Sequence, residues 1–156
     1  MPKLTRERRE VVVSTAVRAG QLNQAAIAFR DQVRQAINVP GAPQLGVVWQ
    51  DPPPDFPVSD FILDSFCGKL IAQFDHVFNG EDVMGRFRFY RHMGDVVHPK
   101  LAEFWAILID ANGSATWSTS GSLEWSTNDE SDLREFVYRL LGELYEKLDR
   151  VSTTSV

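Results

Sequence analysis

Apolar and polar side chains alternate on both sides of Asn79-Gly80, the pattern of two half-buried strands closed by a tight turn. With Asn79 and Gly80 as the two turn residues, Phe78 falls opposite Glu81, His76 opposite Val83, Phe74 opposite Gly85, Ala72 opposite Phe87 and Leu70 opposite Phe89. These side chains share one face, because alternate residues of a strand point the same way. The other face receives Val77 with Asp82, Asp75 with Met84, Gln73 with Arg86, Ile71 with Arg88 and Lys69 with Tyr90. A slip of one residue would mix the two sets, so the pattern predicts a sheet with one apolar and one wet face.

Helical periodicity is clearest at the C-terminal end. Leu133, Phe136, Val137, Leu140, Leu141, Leu144 and Leu148 recur at steps of three and four, which predicts an amphipathic helix. Thr127 and Glu130 suit a capping box, and Glu135/Arg139, Glu143/Lys147 and Glu146/Arg150 are i,i+4 pairs on its wet side. Leu22, Ala25, Ala26, Phe29, Val33 and Ile37 trace a second helix that Pro40-Gly41 ends. Residues 5–19 read as helix or strand, with Gly20 as a break between them and the helix that follows.

The middle of the chain is read from shorter signals. Residues 46–50 predict a short strand, and the prolines at 52, 53, 54 and 57 an extended surface connection. Ser59 caps a predicted short helix that Gly68 ends. A second Asn-Gly, at 112–113, predicts a hairpin with Leu108 opposite Trp117 and Ala106 opposite Thr119, preceded by a helical turn at 99–103. The economical arrangement is α+β: an antiparallel sheet of about 4–5 strands with two hairpins, one face covered by N- and C-terminal helices.

The 156 residues suit a single domain spanning 1–156, with residues 1–4 and 152–156 expected to be flexible. Net charge is −5, which disfavours indiscriminate binding to nucleic acid. Cys67 is the only cysteine, so the chain has neither an internal disulfide nor a cysteine-based zinc site, and Cys67 reads as inert packing. Neither a membrane-spanning run nor a secretory leader is read, and a cytoplasmic location is expected.

Three constellations carry candidate chemistry. His92, Asp95 and His98, spaced H-x2-D-x2-H, are two imidazoles and a carboxylate that a tight loop can converge on a divalent metal. The plainer reading is a polar loop that contains two histidines, and no cofactor is expected. Arg86, Arg88 and Tyr90, with Lys69 beside them, interleave basic and aromatic side chains on the wet face, an outline shared with nucleic-acid platforms. His76 projects into the apolar face and reads as a core residue. No phosphate loop, dinucleotide fingerprint, nucleophile elbow or H-E-x-x-H motif occurs.

The expected function is therefore a non-catalytic protein-binding domain of adaptor, chaperone or inhibitor type. Trp49, Phe56, Trp105, Trp117 and Trp125 exceed what one sheet face must bury, and exposed aromatics mark interfaces. The expected contact surface is Lys69, Ile71, Arg86, Arg88 and Tyr90, engaging a protein partner or a second copy in a homodimer. Two alternatives stand beside it: a small metal-dependent enzyme using His92, Asp95 and His98, and a nucleic-acid binder using Arg86, Arg88 and Tyr90.

Overall fold

In a computed structural model describing residues 2–38, 43–94 and 97–151, both helices lie against one face of a seven-stranded antiparallel sheet. The order is α1 (Arg6–Ile37), β1 (Val48–Gln50), β2 (Phe61–Ser65), β3 (Gly68–Asn79), β4 (Asp82–Gly94), β5 (Pro99–Ile109), β6 (Ser114–Ala115), β7 (Trp125–Ser126) and α2 (Glu130–Glu146). Each strand pairs with the next in sequence, a plain meander. The edge strands β1 and β7 are only three and two residues long, which gives a neighbouring chain little edge to extend. The α+β class is as expected, with more strands than the 4–5 read from periodicity.

The extra strands come from short segments. Residues 61–65 form a strand where a short helix is expected, because three successive apolar side chains are buried there: Phe61, Ile62 and Leu63. Such a run suits a strand whose side chains are buried on both faces. Ser65 Oγ donates to the Gly68 carbonyl and accepts from Cys67 N–H, so the β2–β3 link is a tight turn. Cys67 sits at its tip, exposed rather than packed. Residues 99–103 belong to β5 from its first residue, Pro99, with no helical turn; proline is tolerated at a strand start, where its missing N–H costs least.

The β3–β4 hairpin turns one residue later than expected. Asn79 pairs with Asp82, so Gly80 and Glu81 form the loop and Phe74 faces Phe87 rather than Gly85. Gly80 has φ of +67° and no non-glycine described residue has positive φ, which is the pattern of a turn needing glycine at its first central position only. Moving the turn by one residue shifts every pairing by two. An even shift keeps each side chain on its side, so Phe74, Phe87 and Phe89 stay on the apolar face.

The second hairpin shifts differently. Ile109 pairs with Ala115, and Gly113 N–H bonds the Asp110 carbonyl while Asp110 N–H bonds that of Ser114. Gly113 takes φ of +83°, so the connection has three residues closed by a left-handed glycine. The Asp110 carboxylate accepts from Asn112 and Ser114 N–H groups and holds the loop. Leu108 consequently bonds Thr116, not Trp117.

Phe29 of α1 is the hub of the core. Its ring meets Phe61, Phe87, Trp125 and Phe136 at centroid distances between 5.0 and 6.1 Å. Leu22, Ala26, Val33 and Ile37 extend the same buried stripe, and α2 contributes Leu133, Phe136, Val137, Leu140, Leu141 and Leu144. A bulge opposite Phe89 and Tyr90 leaves Phe104 unpaired and lets both Phe104 and Trp105 join the core. Gly85 is small because Phe74 leans over it: a β-carbon there would lie 2.5 Å from the Phe74 ring and 2.9 Å from Ile109.

The terminal helices also depart in detail from the periodicity. Thr5 caps α1, and the helix runs unbroken through Gly20 to Ile37. Asp129 caps α2 by accepting from Asp132 N–H, while Thr127 is buried and donates to the Gly113 carbonyl. The Glu135–Arg139 and Glu143–Lys147 pairs form at 3.1 and 3.8 Å; Arg150 lies past the last helical residue, Glu146. The Pro40-Gly41 stop and the tail 152–156 lie outside the described residues.

Candidate functional site

The sheet face away from the helices carries every residue of the expected contact surface. The register lines up Gln50, Ile62, Ile71, Tyr90 and Glu103 across five strands, with Gln73, Arg88 and Ala106 in the next row and Asp75, Arg86 and Leu108 beyond. Lys69 pairs with Asp64, two residues from the position opposite Tyr90 that Ile71 occupies.

Arg86 and Asp75 form the anchor. They face each other directly, with Arg86 Nε donating to Oδ1 at 3.0 Å and Nη2 to Oδ2 at 2.6 Å. This hydrogen bond to Asp75 raises the Arg86 pKa above the ordinary guanidinium value, so Arg86 stays charged at any working pH. Arg88 shares the carboxylate at 3.3 Å and lies 3.9 Å from Glu103. Its guanidinium also sits 5.9 Å from the Tyr90 ring centroid, within cation–π range. Among the described residues the buried Arg88 Nε, 3.9 Å from the Glu103 carboxylate, has no hydrogen-bond partner.

The expected register set Asp75 opposite Met84 and diagonal to Arg86, whereas the two face each other directly; Glu103 is the site residue that the sequence reading left out. The turn at Gly80-Glu81 is what moves Asp75 from the diagonal to the position opposite Arg86. Glu103 was hidden by the bulge, which displaces the β4–β5 pairing by one residue.

The same face buries Ile62, Met84 and Leu108 with no helix over them. Arg86 is 29 % exposed, Arg88 32 % and Asp75 33 %. Long charged side chains tethered to one another cover apolar neighbours with their stems.

The remaining candidates are dispersed. His92 ends up exposed on β4, His98 is exposed in the following connection, and Asp95 lies outside the described residues. Among the described residues no group of three His, Cys, Asp or Glu side chains converges to hold a metal. His76 is exposed and meets the Phe74 ring edge at 5.1 Å instead of entering the core. The surplus aromatics are mostly consumed internally: Trp105 and Trp125 are buried, while Trp49, Phe56 and Trp117 are half-buried. Trp105 and Trp125 donate their indole N–H groups to the carbonyls of Trp117 and Thr116, and Arg139 stacks on Trp117 at 4.2 Å.

Among the described residues Asp60 is the one buried carboxylate. It accepts from Phe74 N–H at 2.9 Å, one residue before β2 begins, replacing a ladder carbonyl. Burial raises its pKa above the ordinary carboxylate value, the Phe74 hydrogen bond opposes that rise, and the Asp75 charge adds to it. Its place is structural. No described helix is long and apolar enough to cross a membrane. No family model, curated protein or solved structure matches the chain.

Proposed function

We propose that this chain is a non-catalytic protein-binding domain, of adaptor, chaperone or inhibitor type, that engages its partner with the sheet face bearing Lys69, Ile71, Arg86, Arg88 and Tyr90. The observation that carries this reading is Arg88. It is held by Asp75, Glu103 and Tyr90 on a face without a covering layer. A pre-ordered arginine beside an aromatic ring, with Ile71 directly across from that ring, has the composition of an interface hot spot. Two arginines set against two carboxylates leave this cluster near neutral, which favours a protein surface over a polyanion such as nucleic acid.

The test is quantitative capture of partners from the native host by wild type and by an Arg88→Glu, Tyr90→Ala double variant with an unchanged melting temperature. The double variant should lose ~2 kcal/mol or more of binding free energy. Capture of the same proteins by both forms, or of none by either, overturns the proposal. The metal-dependent alternative predicts a zinc-dependent rise in melting temperature that His92→Ala and His98→Ala each abolish.

A further inference from the structure

We infer that the N-terminal half of α1 is a self-association arm, pairing antiparallel with the same segment of a second copy of this chain. The first buried residue of α1 is Leu22, sixteen positions into the helix. From Arg6 to Gln21 every residue is exposed except Thr15 and Ala19, which are half-buried. About 15 residues of helix, ~22 Å at 1.5 Å per residue, thus project without a core contact. Their composition is wrong for a solitary helix: Val11, Val12, Val13 and Val17 are between 56 % and 64 % exposed. β-branched residues propagate a helix poorly in water. The segment calls for a partner surface.

At 100° per residue, Val12, Val13, Ala16, Val17, Ala19 and Gly20 fall on one arc of the arm. Arg6 and Arg9 continue that arc toward the tip, and Asn23 and Gln24 toward the body. Parallel pairing would set Arg6 and Arg9 against their own copies. Antiparallel pairing centred near Thr15 and Ala16 sets them beside the neutral Asn23 and Gln24 and brings Val13 against Val17. Ala16 and Gly20 let the two backbones approach closely. The stripe is self-complementary in this orientation only, as a two-fold interface requires.

Charge favours the same occupant. Residues 1–20 hold five basic and two acidic side chains, a net of +3 within a chain of net −5, so the remaining residues carry −8. Residues 21–29 carry no charge, so full antiparallel overlap takes each basic tip away from its own copy and to the root of the other arm, next to a body of net −8. This interface is separate from the sheet face and stands or falls independently of it.

Sedimentation of the full chain, in a Cys67→Ser background because that thiol is exposed, tests the inference. Wild type should be a dimer, and Val13→Glu with Val17→Glu should weaken the dimer about 100-fold while leaving the fold intact. Under oxidation Ala16→Cys, near the two-fold axis, should cross-link efficiently and Arg6→Cys should not. A monomeric wild type, a dimer indifferent to the two glutamates, or equal cross-linking at positions 6 and 16 overturns the inference. So does an arm that stays monomeric and binds phosphatidylserine vesicles or an oligonucleotide.

Discussion

Arg86 and Asp75 stand directly opposite each other on β4 and β3, joined by two hydrogen bonds of 3.0 and 2.6 Å, with Arg88 sharing the same carboxylate. One aspartate therefore fixes two arginines. Asp75→Ala should be more damaging than Arg86→Ala, because it leaves two adjacent cations with only the more distant Glu103 to offset them. A double-mutant cycle in urea should show a coupling of about 1 kcal/mol between 75 and 86, reduced at high salt because both groups are partly exposed.

Phe87 and Phe78 test the sorting of the hairpin. Phe87 is fully buried against Phe29, Phe61 and Phe74, whereas Phe78 is exposed at the hairpin end. Phe87→Ala should cost about 3–5 kcal/mol and Phe78→Ala under about 1 kcal/mol in denaturant titrations.

Gly85 should be intolerant of even one methyl group. Gly85→Ala forces its β-carbon into the Phe74 ring and Ile109, an overpacking cost of about 1–3 kcal/mol. Combining it with Phe74→Leu should cost less than the sum of the two single changes, since the ring is what the methyl group strikes.

Asp60 should make stability depend on pH in the direction opposite to a salt-bridged carboxylate. Its folded pKa lies above the unfolded value because burial disfavours the charge. The folded state therefore binds the proton more tightly, and stability falls as pH rises from the unfolded pKa to the folded one. Asp60→Asn keeps an oxygen acceptor for Phe74 N–H and removes the charge. Wild type should accordingly gain stability relative to Asp60→Asn as pH is lowered from 7 toward the ordinary carboxylate pKa. Asp60→Ala, which orphans that N–H, should cost about 1–3 kcal/mol. Urea titrations at several pH values check both.

Local pattern by itself determined which side of each element is apolar. The steps of three and four from Leu133 to Leu144 placed the buried stripe of α2, and Leu22 to Ile37 that of α1. Alternation around Asn79-Gly80 put Phe87 and Phe89 on one face and Arg86 and Arg88 on the other, a sorting that survives any even shift. These properties depend on periodicity within a segment, so they are legible one segment at a time. Which residue faces which depends on several segments together. The turn at Gly80-Glu81, the bulge at Phe104 and the strand at Phe61–Ser65 are chosen by the pairing and burial available from neighbouring strands and from Phe29. Tertiary structure alone therefore decided that Asp75 faces Arg86 directly instead of diagonally, that Glu103 comes beside Arg88, and that α1 outruns the sheet at Leu22 and leaves its valines uncovered. Each of these is a relation between segments distant in the chain, fixed by long-range packing that no local periodicity encodes.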